Sequence, residues 1–188
     1  MKRLLAIIIS YLLGGILTGE LIAALSRVDL RKKGSGNPGA TNAYRLLGPI
    51  FGVIVLGGDV LKGIIGTLIG IWLGGPEMGP WCGLAVIAGH NWPLFFKFKG
   101  GKGIATSLGT IIVLVPKTLM IVAPTWFLVL FLFGYVSLSS LVAAFTLPLS
   151  CFLFYPQEKL LLVYGILAFL LAVYRHRSNI ERIISGTE

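Results

Sequence analysis

Three polar stretches interrupt an otherwise apolar chain, and each joins glycine to cations and hydrogen-bond donors in a manner suited to phosphate. The first reads Gly34-Ser35-Gly36-Asn37-Pro38-Gly39-Ala40-Thr41-Asn42-Ala43-Tyr44-Arg45. Successive glycines allow positive φ and close backbone approach. A turn of this kind entering a helix near Asn37–Thr41 would aim unpaired N–H groups at an anion. Ser35, Asn37, Thr41 and Asn42 add neutral donors, and Arg45 offers a two-pronged guanidinium clamp. Taken alone, such a run serves equally well as a flexible loop.

The second stretch holds Gly89-His90-Asn91-Trp92-Pro93, then Phe95-Phe96-Lys97-Phe98-Lys99-Gly100-Gly101-Lys102-Gly103, followed by Ala105-Thr106-Ser107. A Gly-Gly-Lys-Gly turn opening an apolar helix presents backbone N–H groups, a lysine point charge and hydroxyls one turn later. Phe96 stands where a Walker A loop needs its first glycine, so nucleotide binding is not indicated. Phe95, Phe96 and Phe98 around Lys97 and Lys99 also fit an interfacial aromatic belt with snorkelling lysines. The third stretch is the tail from Tyr174 to Glu188, with Arg175, His176, Arg177, Asn179 and Arg182. A basic stop-transfer cluster explains its arginines but not His176, Asn179 or the terminal Gly186-Thr187-Glu188. Two anion-directed loops and a His/Asn/Arg tail, if they share one membrane face, suggest a site for two phosphorylated substrates.

The elements that must position these residues are membrane helices. The chain has 188 residues, 56% hydrophobic and only 12% charged, against about 25% charged in a soluble domain. Its apolar residues fall in long runs rather than periodic single faces. The expected fold is therefore all-α: a polytopic transmembrane helix bundle forming a single domain over residues 1–188. With about 20 residues needed per crossing, the spans are 4–25, 46–73, 80–96, 104–116, 118–134, 137–155 and 158–174. Gly48-Pro49 and Gly57-Gly58 are expected to interrupt the second. The fourth is short before Pro116-Lys117, so about seven spans, or five plus a re-entrant hairpin, are expected. Lys2 and Arg3 ahead of an apolar run imitate a signal peptide, but the chain stays apolar to residue 174, which favours a first spanning helix. Gly14, Gly15, Gly66 and Gly70 are expected to let helix backbones approach closely.

The net charge of +9 is a matter of topology more than of nucleic-acid binding in a chain this apolar. Arg27, Arg31, Lys32, Lys33 and Arg45, with Lys97, Lys99 and Lys102, and with Arg175, Arg177 and Arg182, make eleven of the sixteen cations. All fall on one side if the N-terminus is outside and the C-terminus cytoplasmic, as the positive-inside rule prefers. Lys2 and Arg3 are discordant with that arrangement. Within the second span, Asp59 and Lys62 share a helical face, as a structural ion pair or as the lining of a substrate path. Cys82 and Cys151 lie in apolar surroundings with no partner at ligand spacing, so neither zinc nor a disulfide framework is expected, and both read as buried small hydrophobes.

The motifs together resemble a known family. Ser35-Gly36-Asn37-Pro38-Gly39-Ala40-Thr41-Asn42 with Arg45 resembles the first signature of the PlsY-type acyl-phosphate:glycerol-3-phosphate acyltransferases. Gly89-His90, Pro93 and Phe98-Lys99-Gly100-Gly101-Lys102 with Ala105-Thr106 resemble the second. Arg175-His176-Arg177, Asn179-Ile180, Arg182 and Gly186-Thr187-Glu188 resemble the third, and Asp59 with Lys62-Gly63 resembles the family's intramembrane segment. The resemblance spans nearly the whole chain in order. It implies a seven-span enzyme of the bacterial inner (cytoplasmic) membrane with its site on the cytoplasmic face. Its activity would be acyl transfer from acyl phosphate to glycerol 3-phosphate, giving 1-acyl-glycerol 3-phosphate and inorganic phosphate, the first step of phospholipid synthesis. No metal, no organic cofactor and no obligate protein partner is expected.

On that reading the catalytic candidates are Ser35, Arg45, Lys102, His90, His176 and Asn179. The substrate-binding candidates are Gly36, Asn37, Thr41, Asn42, Lys97, Gly100, Gly101, Gly103, Thr106 and Arg177. Acyl phosphate is already activated, so orientation and anion neutralisation are the main requirements. No carboxylate accompanies the donors of the first two loops, which points to a substrate phosphate as the proton acceptor. A His90 or His176 general base is the rival. An organic-phosphate transporter would also carry basic loops and broken helices, but it needs access from both faces. A structural or regulatory subunit would not need three anion-directed stretches.

Overall fold

A backbone surrounded by hydrocarbon must satisfy its own N–H and C=O groups, and each apolar run accordingly becomes helical. The computed structural model describes residues 1–188 and contains no strand. In chain order the helices are α1 Lys2–Gly14, α2 Thr18–Ser26, α3 Ala40–Leu47, α4 Pro49–Gly74 and α5 Met78–Asn91. Then follow α6 Ile104–Leu114, α7 Leu119–Phe133, α8 Val136–Phe154, α9 Lys159–Arg175 and α10 Arg177–Ile184. Four stretches are long and apolar enough to cross a membrane: Lys2–Ser26, Pro49–Gly74, Pro116–Phe133 and Val136–Phe154. A fifth joins Lys159–Arg175 to Arg177–Ile184 through a 61° bend.

Local details depart from the sequence expectations. The first apolar run is not one helix but two, α1 and α2, parted at Gly15–Leu17. The second is not interrupted at Gly57-Gly58: α4 runs unbroken, started by Pro49 in its first turn after Gly48 at φ 94°. Proline at that position loses no hydrogen bond, since the first N–H groups of a helix have no partner within it. The third run stops being α-helical at Asn91, and a 3₁₀ turn covers Leu94–Phe96. α5 and α6, of 14 and 11 residues, reach about 21 and 16 Å at 1.5 Å per residue. Each is shorter than a hydrocarbon core of about 30 Å.

The chain divides into two compact units, Met1–Thr110 and Ile111–Glu188. In the first, glycines set the helix spacing. A Cβ on Gly14 would fall on the Val86 carbonyl oxygen, and one on Gly89 would fall on that of Tyr11, so α1 and α5 touch backbone to backbone. Gly66 receives the Val86 side chain and Gly70 that of Cys82, seating α5 against α4. Gly63 against the Thr106 carbonyl, and Gly109 against that of Val60, seat the first half of α6 on α4. Gly15 lies beside Phe95 and Pro93.

In the second unit α8 packs against both α7 and α9. Trp126 Nε1–H donates to Ser140 Oγ at 3.3 Å between α7 and α8. Phe145 and Phe169 meet edge to face with centroids 5.7 Å apart between α8 and α9. Gly165 accommodates Pro148 and Cys151. Ser139, Ser140 and Ser150 donate to carbonyls four residues back at 2.7–2.8 Å, so α8 carries hydroxyls without leaving them unpaired. Gly134, at φ 75°, ends α7.

Candidate active site

The first loop is built around a buried amide. Asn42, in the first turn of α3, is only 1% exposed. Its Oδ1 accepts the Ser35 N–H at 2.9 Å, and its Nδ2 donates to the carbonyls of Leu30 at 2.9 Å and Lys33 at 3.2 Å. Gly34 adopts φ 59° directly over that amide, where a Cβ would meet Asn42 Oδ1. Beneath it, Leu30 and Ala43 join Ala23 and Val55 in an apolar cluster that ties the loop to α2 and α4. Asp29 Oδ1 accepts from the backbone of Arg31 at 3.0 Å and Lys32 at 3.3 Å. The Arg31 N–H is the main reason the Asp29 carboxyl sits below its ordinary range. α3 then starts at Ala40, with Gly39 extended as its cap. Ser35, Thr41 and Arg45 remain exposed and Asn37 half-buried.

The second loop is a tight backbone path. Pro93 O accepts from Phe96 N at 3.2 Å and Phe98 N at 2.9 Å, and Lys97 and Phe98 both take left-handed φ values, 52° and 59°. Two consecutive L-residues in that region are unusual and turn the chain back toward the end of α5. Gly101 N–H donates to His90 O at 3.1 Å. A Cβ on Gly100 would strike the same carbonyl, and one on Gly101 would strike His90 Nε2. Gly103, at φ 82°, lies over Asn91 Oδ1 and leads into α6, where Ser107 N–H donates to Gly103 O at 2.7 Å. Both glycine-rich loops thus run into a helix start, whose leading N–H groups are not used within the helix.

Arg31 joins the two loops. Its Nε lies 2.6 Å from Glu20 Oε1 on α2, and its guanidinium stands over the Phe96 ring, 5.7 Å from the centroid. Below the second loop is a buried polar cluster. Lys62 Nζ contacts Asp59 Oδ1 at 2.9 Å, the Ile16 carbonyl at 2.8 Å and His90 Nδ1 at 2.8 Å. Thr18 Oγ1 donates to Asp59 Oδ1 at 3.2 Å. The Ile16 carbonyl is available because α1 and α2 part there, so the helix break and the buried lysine explain each other. The structural ion-pair reading of Asp59 and Lys62 therefore holds, within a larger network.

In the second unit, His176 and Asn179 are buried, at 2% and 3% exposure. His176 Nδ1 lies 2.8 Å from Ala172 O, and Asn179 Nδ2 donates to Glu188 Oε1 at 2.7 Å. Glu188 also accepts from Ser137 Oγ at 2.5 Å and Arg182 Nε at 2.8 Å. Burial alone would raise that carboxyl; the bonds from Ser137, Asn179 and Arg182, with the Arg182 charge, outweigh it and pull the pKa down to about 2. Arg177 is exposed, its guanidinium 4.9 Å from the Tyr174 ring centroid.

The structure thus brings Ser35, Gly36, Asn37, Thr41, Asn42 and Arg45 into one loop–helix junction. Lys97, Gly100, Gly101, Lys102 and Gly103 form another, with His90 beneath it. Asn42 is turned inward onto the loop's own backbone, and Thr106 is fully buried on α6 where that helix meets Gly63 of α4. Sequence reasoning missed Thr18, Glu20, Arg31 and the Ile16 carbonyl as supports. Only Glu20, an acid in an apolar run, carried a visible signal. No group of three or more His, Cys, Asp or Glu residues stands close enough to hold a metal ion.

Fold and site define a multi-pass helical membrane protein that presents two glycine-rich, cation-bearing turns, each braced from below by buried polar contacts. The chain belongs to the glycerol-3-phosphate acyltransferase family, whose model matches residues 4–186, and it is an acyltransferase enzyme of bacterial membranes. The glycerol-3-phosphate acyltransferase of Desulforudis audaxviator is 45% identical over 98% of this chain and 93% of its own length. That of Aquifex aeolicus is 44% identical over 100% of this chain and 98% of its own length. The crystal structure of PlsY (YgiH), an integral membrane glycerol 3-phosphate acyltransferase, in its glycerol 3-phosphate form superposes with a TM-score of 0.93. It has 42% identity and covers 100% of this chain and 94% of that one. The lysophosphatidic acid form gives 0.92 at 41% identity, with the same coverage.

Proposed function

We propose that this enzyme transfers an acyl chain from acyl phosphate to the 1-hydroxyl of glycerol 3-phosphate. It would work as one domain of about seven spans, or five plus a re-entrant hairpin, in the bacterial cytoplasmic membrane, N-terminus outside, with its site on the cytoplasmic face. The hydroxyl oxygen bonds to the acyl carbon, the bond from that carbon to the phosphate oxygen breaks, and the hydroxyl proton passes to phosphate. The products are 1-acyl-glycerol 3-phosphate and inorganic phosphate. The observation that carries this reading is the pairing of two anion-directed turns, joined through Arg31 and Phe96, in a chain of this family. One turn suits each substrate phosphate. Ser35, Asn37, Thr41 and Arg45 hold acyl phosphate, with Gly36 giving the turn its path and Asn42 holding the loop's shape. Lys97, Lys102 and the Gly100–Gly103 backbone hold glycerol 3-phosphate, Thr106 seating the helix start on α4. Arg177, His176 and Asn179 are assigned to the same reaction.

The proton goes to a substrate phosphate rather than to His90. A general base needs a lone pair within reach of the hydroxyl. The lone pair on His90 Nδ1 faces the Lys62 ammonium at 2.8 Å, so the other nitrogen carries the hydrogen in the neutral ring. Orientation and charge neutralisation then supply the rate, through donors fixed before the reaction begins. Purified protein given acyl phosphate and glycerol 3-phosphate should release phosphate only when both are present. Release from acyl phosphate alone, or uptake of glycerol 3-phosphate into sealed vesicles without turnover, refutes the proposal.

A further inference from the structure

An ammonium group has three hydrogens and no lone pair, and Lys62 Nζ meets three acceptors in the interior of the first unit. They come from three separate stretches of chain: Asp59 Oδ1 on its own helix at 2.9 Å, Ile16 O at the α1–α2 break at 2.8 Å, and His90 Nδ1 at the end of α5 at 2.8 Å. As an ammonium Lys62 can only donate, which gives the imidazole, whose Nδ1 also lies 3.7 Å from Asp59 Oδ1, a bare Nδ1 and a proton on Nε2. That Nε2 edge lies directly under Gly101, where no Cβ could fit, and the carbonyl of the same histidine accepts the Gly101 N–H at 3.1 Å. The ring and the carbonyl of one residue therefore bound the glycine turn from below. Lys62 and Asp59, themselves 4% and 2% exposed, hold that residue.

A buried ion pair contributes little stability over apolar side chains of equal volume; its better-attested use is to fix one arrangement among several. We propose that Lys62 and Asp59 are positioning residues of the acyl transfer. Acting through the His90 tautomer, they set the path of the Gly100–Gly101 turn and hence the affinity for the phosphate of glycerol 3-phosphate. Asp59 holds the ammonium in place and is itself held by Thr18, while the Ile16 carbonyl takes the remaining hydrogen. The inference rests on the functional reading above, in which that turn binds glycerol 3-phosphate.

The chain has only two histidines, so ¹⁵N-histidine spectra of the full-length protein in lipid nanodiscs resolve His90, assigned by its loss in His90→Gln. The expected result at neutral pH is an unprotonated Nδ1 and a protonated Nε2. A protonated Nδ1 overturns the proposal without any variant. In Lys62→Met and in Asp59→Asn/Lys62→Met, the KM for glycerol 3-phosphate should rise about tenfold or more, the factor carried by one charge-assisted hydrogen bond. The kcat should stay within about threefold and the KM for acyl phosphate should be unchanged, as expected when only ground-state and transition-state binding are lost together. A folded double variant with wild-type KM for glycerol 3-phosphate also overturns it. Should neither variant purify as a folded protein, the wild-type tautomer decides. Wild-type protein that releases no phosphate from the two substrates overturns the functional reading itself, whatever the tautomer.

Discussion

Replacing Arg31 with methionine should loosen the join between the two glycine-rich loops. Arg31 leaves the first loop and reaches two fixed points: Glu20 Oε1, 2.6 Å from its Nε, and the Phe96 ring of the second loop, 5.7 Å from centroid to guanidinium. The Arg31 and Glu20 side chains are 30% and 18% exposed, so the pair is only partly screened and belongs at about 1 kcal/mol, the upper end for exposed pairs. A guanidinium over an aromatic face adds about 1 kcal/mol at such a site. Together about 2 kcal/mol holds the loops in register, a factor of about thirty in an equilibrium constant. Methionine keeps much of the apolar stem, so packing losses stay small. The loss should be seen as raised KM for both substrates, their combined rise approaching thirtyfold. Initial rates of phosphate release, with each substrate varied in turn, measure it. Because Glu20 and Phe96 act through the same guanidinium, Glu20→Gln and Phe96→Leu should be non-additive in a double-mutant cycle, and additive once Arg31 is methionine. A folded Arg31→Met protein with both KM values within twofold of wild type refutes the reasoning, as does simple additivity in the wild-type background.

Two further outcomes follow from the same geometry. Asn42→Ala strands the Ser35 N–H and the carbonyls of Leu30 and Lys33, at about 1–3 kcal/mol for groups left without partners; hydrogen exchange over residues 30–39 should accelerate while α8 and α9 stay protected. Glu188, with its folded pKa depressed to about 2 from 4.5, stabilises the folded tail fully above pH 4.5, and that contribution is lost as pH falls toward 2. The bonds it makes are partly exposed, so the effect is about 1 kcal/mol after screening. Intrinsic-rate-corrected exchange over Arg177–Ile184 should show the loss between those pH values, and Glu188→Gln should abolish the dependence.

Much of this molecule was legible in the residue order because its solvent is a bilayer. Apolar runs in hydrocarbon have little choice but helix, and all seven expected runs contain one, as the boundaries of α4, α8 and α9 show to within a few residues. The polar loops stood out by contrast with those runs, and Gly103 at φ 82° leading into α6 is what the Gly-Gly-Lys-Gly string required. Pairing Asp59 with Lys62 needed only their spacing along one helix.

What tertiary structure alone decided is everything that depends on a distant partner. The break at Gly15–Leu17 has no proline to mark it; its carbonyl meets a lysine 46 residues away. Asn42 reads in the sequence as one more neutral donor, and only the fold shows its amide bonded to three backbone groups of its own loop. The contact between His90 Nδ1 and Lys62 Nζ at 2.8 Å joins residues of two different helices, 28 positions apart. Local composition sets which residues can bind phosphate, whereas a hydrogen bond is satisfied by whichever group folding brings within about 3 Å, and the order of residues does not state that distance.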